Sequence, residues 1–235
     1  MQAVILAGGL GTRLRPLTER IPKVMVPVNG EPFLLHLLQL LKSQGINDIV
    51  LCIGHLGQQV KDSFGNGKAL GMNLIYSEEK GKLLGTGGAL KQAQTLLDDY
   101  FLVINGDTYL PIDYREVEKA FLRHGKKSLM VVYDNRDDTE VKNNVMLDDN
   151  LMVKSYNKKN PDRNFHYVEA GVLALKKEVL NLLKEGIPVS LEEGLYPGLI
   201  RQGEMVAYIA RQRFYDIGLP EQKKAFEEFL KGRSA

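Results

Sequence analysis

The sequence predicts an α/β fold in which a mostly parallel sheet is flanked by helices, and three observations carry that expectation. Short apolar runs alternate with amphipathic stretches through the first half of the chain, the pattern of βαβ units. Each run ends in a glycine-bearing or polar loop, as strands do. At 235 residues the chain is long enough to bury a core without staples.

Taken in order, residues 3–6 read as a first strand buried on both faces. Residues 32–44 place Leu34, Leu37, Leu38 and Leu41 on one helical face and stop at Gly45, where glycine readily takes the left-handed cap conformation. Strands follow at 49–53, 73–76 and 101–104, separated by helices near 58–64 and 89–97. The second half is less regular, with strands near 129–133, 144–147, 153–156, 168–175 and 206–210. Ser190 and Glu193 form a capping-box pattern that starts a helix running to about residue 201, and a last amphipathic helix follows Pro220. No repeat, low-complexity segment or linker divides the chain, so one domain is expected. In such sheets ligands bind outside the carboxyl ends of the strands, and the informative residues belong there.

Composition narrows the function classes. With 44% hydrophobic and 26% charged residues the chain is an ordinary globular one. Its 31 basic and 29 acidic residues leave a net charge of +2 with no basic tail, so no nucleic-acid partner is indicated. The apolar runs are too short to cross a bilayer, and MQAVILAGG meets a glycine loop where a signal peptide needs a longer apolar stretch. The expectation is a cytoplasmic protein without a membrane partner; homo-oligomerisation stays open. Cys52, the one cysteine, sits in the apolar run IVLCI and reads as a small core residue. The four histidines, His36, His55, His124 and His166, show no ligand spacing.

Chemistry begins at the end of the first strand, in LAGGLGTRLRPLTERIPKVMVPV. Gly8, Gly9 and Gly11 allow a tight turn and a close ligand approach, presenting backbone N–H groups to phosphate oxygens. Arg13 and Lys23 follow as two different cations, a planar fork and a point charge. A dinucleotide fingerprint needs a small residue where Leu14 stands and an acid ending a second strand, whereas Glu31 precedes a helix. A P-loop needs Gly-Lys-Ser/Thr where this chain has Gly11-Thr12-Arg13. Two carboxylates complete the set: Asp107 after the run FLVI in Asn105-Gly106-Asp107, and Asp216 in Tyr215-Asp216-Ile217-Gly218. They are able to meet in the crevice and hold magnesium, which takes one or two protein carboxylates and completes its octahedron with phosphates and water. A turn-capping role is the other reading of a strand-end aspartate.

From Gly8 through Lys23 the string resembles the GG-x-G-T-R-L-x-P-L-T…P-K signature of the sugar-1-phosphate nucleotidyltransferases, and N-G-D and D-x-G match that family again in the same order. The resemblance covers residues 1 to about 227. It implies a Rossmann-like, glycosyltransferase-A-like nucleotidyltransferase fold, with a nucleotide-binding part at about 1–112 and a sugar-phosphate-binding part at about 113–220. By resemblance Arg13 and Lys23 take the catalytic roles, Asp107 and Asp216 bind Mg2+, and a nucleoside triphosphate and a sugar 1-phosphate are the partners. Nucleotide contacts are expected from Leu6, Ala7, Gly8, Gly9, Gly11, Thr12, Gly85 and Thr86. Glu79 is either a reader of guanine, whose N–H edge a carboxylate accepts from, or a solvated loop acid. On the sugar side the expected contacts are Asn144, Lys158, Glu169 and Gly171, with Asn157-Lys158 standing where many members have Glu-Lys and Asn143-Asn144-Val145 replacing Tyr-Gly-x-Val.

The compact length, the segment Leu84-Gly85-Thr86-Gly87-Gly88-Ala89 and the ending Tyr215-Asp216-Ile217-Gly218-Leu219-Pro220-Glu221 look most like the heptose-1-phosphate guanylyltransferases. Uridylyl or thymidylyl transfer to another hexose 1-phosphate, a molybdopterin guanylyltransferase and a non-catalytic regulatory homologue are the alternatives. The implied reaction is one displacement at the α-phosphorus by a sugar-phosphate oxygen. That nucleophile is already ionised, so alignment and charge neutralisation suffice and no general base is needed.

Overall fold

The computed structural model describes residues 1–159 and 163–233. The strands of the central sheet are β1 (Gln2–Ala7), β2 (Asp48–Ile53), β3 (Asn73–Glu78), β4 (Tyr100–Asn105), β5 (Ser128–Tyr133), β6 (Val168–Lys176) and β7 (Met205–Ala210). They lie in the order β7-β5-β6-β4-β1-β2-β3. Strand β1 is parallel to both neighbours, pairing Val4 with Val50 on one side and with Val103 on the other. Only β6 among the described strands of this sheet runs against its neighbours β4 and β5, so the sheet is mostly parallel, as expected.

Strand alternation puts Ala3 and Ile5 into one core and Val4 into another, one on each face of β1. Helix α1 (Phe33–Ser43) packs on the first face through Leu34, Leu37, Leu38 and Leu41, all fully buried. It stops where Gly45 turns to φ 79°. Helices α2 (Gly57–Phe64), α3 (Gly85–Gln92), α4 (Tyr114–His124), α5 (Leu191–Gly194), α6 (Tyr196–Arg201) and α7 (Pro220–Arg233) complete the layers. Helix α7 closes the first core with Phe226, whose ring lies 5.4 Å from Phe33 and 4.8 Å from Tyr109.

Three elements differ from the sequence-based expectation. Helix α3 begins four residues before the expected 89 and takes in the glycines at its start. The helix expected from Ser190 to Arg201 is broken at Leu195 (φ −115°, ψ −50°), because Pro197 cannot donate to the carbonyl four residues back. Residues Val145–Leu147 and Val153–Tyr156 pair with each other outside the central sheet. Helix α4 is an addition, capped by Asp113 on the N–H of Arg115 at 2.9 Å and ended by Gly125 at φ 66°. A two-residue pairing of Thr108–Tyr109 with Tyr215–Asp216 is also new, and it builds the site.

Candidate active site

Strands β1 and β4 are parallel neighbours from which the chain goes on toward opposite edges of the sheet, to β2 on one hand and β5 on the other, so a crevice opens beyond Ala7 and Asn105. A cleft of about 300 Å³ fills it. Leu6, Ala7, Gly8, Gly9, Lys23, Glu79, Gly85, Thr86, Asp107, Lys158 and Glu169 all line this one space, though they are spread from position 6 to position 169.

The glycine turn is shaped by what stands behind it. A Cβ on Gly8 would displace the Glu79 carboxylate and crowd the Gly54 backbone, so glycine lets Glu79 come up behind the turn. Gly11 sits at φ 61°, and its carbonyl accepts from the Thr18 hydroxyl at 2.8 Å. Gly11, Thr12 and Arg13 do not line the cleft itself. The Arg13 guanidinium instead lies against Gly218, 3.0 Å from where a Cβ would stand.

The two aspartates meet. Gly106 donates to the carbonyl of Leu6 at 3.0 Å, with no room for a side chain, and so delivers Asp107 to the end of β1. Asp216 is carried in by its strand pairing opposite Thr108, and Ile217 N–H donates to the Asp107 carbonyl at 3.1 Å. Lys23 donates to Asp107 Oδ2 at 2.5 Å. Burial pushes the Asp107 carboxyl up, but Lys23 and, with less effect, Arg13 outweigh it and hold it below its ordinary range. Asp216 moves the other way: burial first, then the charge of Asp107, push it up against the N–H of Gly218, which donates to Oδ1 at 2.5 Å. Two carboxylates with two cations beside them suit a divalent ion whose remaining oxygens come from phosphates and water. The chemistry of the pair is compatible with a divalent cation, which Asp107 and Asp216 would hold.

Behind the glycine turn, Glu79 is partly buried rather than a freely solvated loop acid. It accepts from Leu84 N–H at 2.5 Å through Oε1, while Oε2 faces Gly8 and Gly54. Burial pushes its carboxyl up. Thr86 lines the cleft, but its hydroxyl already accepts from Leu191 N–H at 2.9 Å, and Val189 C=O accepts from Gly87 and Gly88. Those glycines serve a close backbone contact between α3 and the segment before α5. Cys52 lines the floor of the cleft at 1% exposure, and burial, with the Glu79 charge, pushes its thiol up to about 12. It stays protonated and is no nucleophile.

The opposite wall carries Lys158, Glu169, Glu192 and Tyr196. Tyr196 donates to Glu169 Oε1 at 2.5 Å. Burial raises the Glu169 carboxyl, and the nearby Glu192 charge adds to that. Asn144 and Gly171 are not in the lining: Asn144 is buried and its Oδ1 accepts from Glu169 N–H at 2.9 Å, while Gly171, at φ 72°, clears room for Thr108. Both stand behind Glu169 rather than beside a ligand. Glu192 and Tyr196 were not anticipated as site residues; they lie on the helix that the capping box announces, and only folding turns them inward.

The cleft is thus lined by Gly8 and Gly9 of the glycine turn, by Lys23 and Asp107, and by Glu79, Lys158, Glu169 and Glu192, whereas Arg13 and Asp216 stand outside that lining, Asp216 in a separate small pocket. That arrangement suits phosphate chemistry, and comparison with known proteins supplies the family. The profile described as Nucleotidyl transferase matches residues 2–228, and the chain belongs to that family. More particularly, it is 33% identical over 221 residues to a D-glycero-alpha-D-manno-heptose 1-phosphate guanylyltransferase of Campylobacter jejuni, covering 94% of this chain and 96% of that one. It is 30% identical over 235 residues to a protein of the same description from Aneurinibacillus thermoaerophilus, covering 97% and 98%. The crystal structure of HddC from Yersinia pseudotuberculosis complexed with GMP-PN superposes with a TM-score of 0.83 at 29% identity, over 97% of this chain and 99% of that one. No helix among the described residues is long and apolar enough to cross a membrane.

Proposed function

We propose that this sugar-1-phosphate nucleotidyltransferase is a guanylyltransferase that joins GTP to a heptose 1-phosphate and releases pyrophosphate. The observation that supports the reading is that the glycine turn, Glu79, the Lys23–Asp107 pair, Lys158 and Glu169 all line one cleft. The nucleotide takes the side built from residues 6–86 and the sugar phosphate the side built from 158–196. Nucleotidyltransferases generally use a divalent metal, and here we assign it as Mg2+. Bound at Asp107 and Asp216, Mg2+ supplies positive charge beside the reacting phosphates.

The chain's own residues do the rest. Backbone N–H groups from Leu6 to Gly9 approach the nucleotide, with Gly11 and Thr12 shaping the turn. Lys23 and Arg13 neutralise the α-phosphate and the departing pyrophosphate. Lys158 orients the sugar phosphate, one of whose oxygens forms the new bond to the α-phosphorus as the bond to pyrophosphate breaks. No proton need be removed from that oxygen, so catalysis rests on placement and charge. Because Leu84 takes one oxygen of Glu79, Oε2 is the acceptor left for the N–H edge of guanine. This cleft belongs in the cytoplasm, where nucleoside triphosphates are available.

The test is pyrophosphate release from GTP, UTP, dTTP, CTP and ATP, each with a heptose 1-phosphate and with mannose 1-phosphate. GTP should be preferred by about tenfold or more, because a buried acceptor left unpaired disfavours bases without that donor edge. Glu79→Gln should erode the preference, since its amide can turn a donor toward guanine. If UTP or dTTP wins with either sugar, the guanylyl assignment fails; if no combination releases pyrophosphate, the chain is a regulatory homologue.

A further inference from the structure

Glu192 and Glu193 are neighbours in one turn, yet their side chains part. Glu193 is 67% exposed and reaches Lys159 at 3.8 Å, the ordinary place of an acid in a first helical turn, where aligned N–H dipoles favour it. Glu192 is 27% exposed, lines the cleft and lies 3.4 Å from Lys158. The turn is pinned and cannot roll it outward. Leu191 is buried and its N–H is held by Thr86 Oγ1 at 2.9 Å; Ser190 Oγ accepts from Glu193 N–H at 3.1 Å; Tyr196, just beyond, is bonded to Glu169.

Two carboxylates therefore share one end of the cleft with Lys158, whose side chain is 66% exposed. Tyr196 takes one Glu169 oxygen, and Lys158 reaches Glu192 only at the long limit of a hydrogen bond. An ionised carboxylate offers about four acceptor sites, so both acids keep acceptor capacity. Close by, Tyr156 packs edge-on against Tyr196 at 5.1 Å, and its buried hydroxyl lies near enough to Glu169 to favour the charged carboxylate without making a bond of good geometry. Acids crowded in this way repel each other and repel anions. The part of a ligand that satisfies them carries O–H donors, with any phosphate turned toward Lys158.

We infer that Glu192 is a specificity-determining sugar contact: together with Glu169 it accepts hydrogen bonds from adjacent hydroxyls of the sugar ring, while Lys158 takes the phosphate. The inference rests on the sugar 1-phosphate occupying this end of the cleft. It makes the broken helix at Leu195 functional, since the break lets Glu192 and Tyr196 converge on the same ligand.

The test crosses enzyme groups with substrate hydroxyls. Initial rates of the full chain are measured with GTP and D-glycero-α-D-manno-heptose 1-phosphate and its 2-, 3- and 4-deoxy analogues, for the unsubstituted protein and for Glu192→Gln. The unsubstituted enzyme should lose about tenfold or more in kcat/KM with at least one deoxy sugar, the cost of leaving a carboxylate unpaired. In Glu192→Gln that penalty should shrink to about threefold or less, because contacting groups are coupled and distant ones are not, while KM for GTP stays the same. Glu192→Asp, which keeps the charge but retracts it, should shrink the penalty too and serves if the amide variant melts early. A variant that slows every sugar by one factor acts through Lys158 or the fold and overturns the inference, as does one with an undiminished deoxy penalty. If the unsubstituted protein releases no pyrophosphate with any sugar phosphate, the assigned activity itself fails and the sugar contact falls with it.

Discussion

The Lys23–Asp107 pair changes what a substitution at either residue means. Sequence reasoning gives Lys23 a phosphate as partner, whereas in the folded chain it also neutralises Asp107. Asp107→Asn and Asp216→Asn should each lower turnover by roughly 10²-fold or more, since losing a metal carboxylate weakens charge stabilisation at the transferring phosphate. Both variants should stay folded by circular dichroism; near-normal magnesium-dependent turnover would remove the residue from the metal site. Lys23→Ala should slow single-turnover rates more than it lowers the melting temperature, because the side chain of Asp107 is still 30% exposed and water can take over part of the lost contact. Glu169 carries a different linkage. Its folded carboxyl is raised above the ordinary value of 4.5 by burial, so the stability it contributes is present below that value and is lost as pH rises through the raised one. Glu169→Gln should therefore gain melting temperature relative to the unsubstituted chain as pH goes from about 4 to 7, while losing sugar-phosphate affinity. A melting difference that is flat with pH would show that Glu169 does not titrate in this way.

Among elements, the contact between α3 and the segment before α5 holds the two walls of the cleft together. Gly85 sits at φ 70°, and a Cβ there would stand 2.8 Å from the Val189 carbonyl oxygen. Gly81 has a similar φ of 82° and nothing within 4 Å. Alanine at either position bears the left-handed strain of roughly 1–2 kcal/mol, but only Gly85→Ala must also push two backbones apart. Urea unfolding should rank Gly85→Ala clearly below Gly81→Ala in stability, and equal midpoints would mean the contact gives way freely. The same contact explains why α3 begins earlier than its apolar pattern suggests: its first turn is glycine-rich because the backbone at Ile187 to Ser190 lies on it.

At the level of the whole molecule, β6 joins the halves. It pairs with β4, which ends in the site, and with β5, which belongs to the second half, and its register shifts between Glu169 and Leu173. That irregularity includes Gly171 and places Glu169 at the cleft while the rest of the strand stays in the sheet. Since one sheet carries both ligand sides, the chain should unfold as a unit. Far-ultraviolet circular dichroism and tyrosine fluorescence should give one coincident urea transition; two separated midpoints would mean that the sugar-side half melts alone.

The parallel sheet, the course of α1 and the glycine turn were legible in the sequence, because each rests on local patterns: apolar alternation, helical spacing, a turn that only glycine makes; Arg13, Lys23, Asp107 and Asp216 stood out as candidates through resemblance to a family signature. The cap at Ser190 was legible for the same reason. What the sequence left open depends on contacts between distant segments. The pairing of Tyr215–Asp216 with Thr108–Tyr109 is two residues long and has no period to detect, yet it brings Asp216 beside Asp107. Gly171 matches the family pattern and Asn144 departs from it, yet both stand behind the wall, whereas Glu192 looks like any acid at a helix start. Which of two adjacent glutamates faces the ligand is decided by the buried Leu191, the Thr86 hydroxyl and the broken turn around it, and a linear pattern does not contain that information because the deciding contact spans 105 residues.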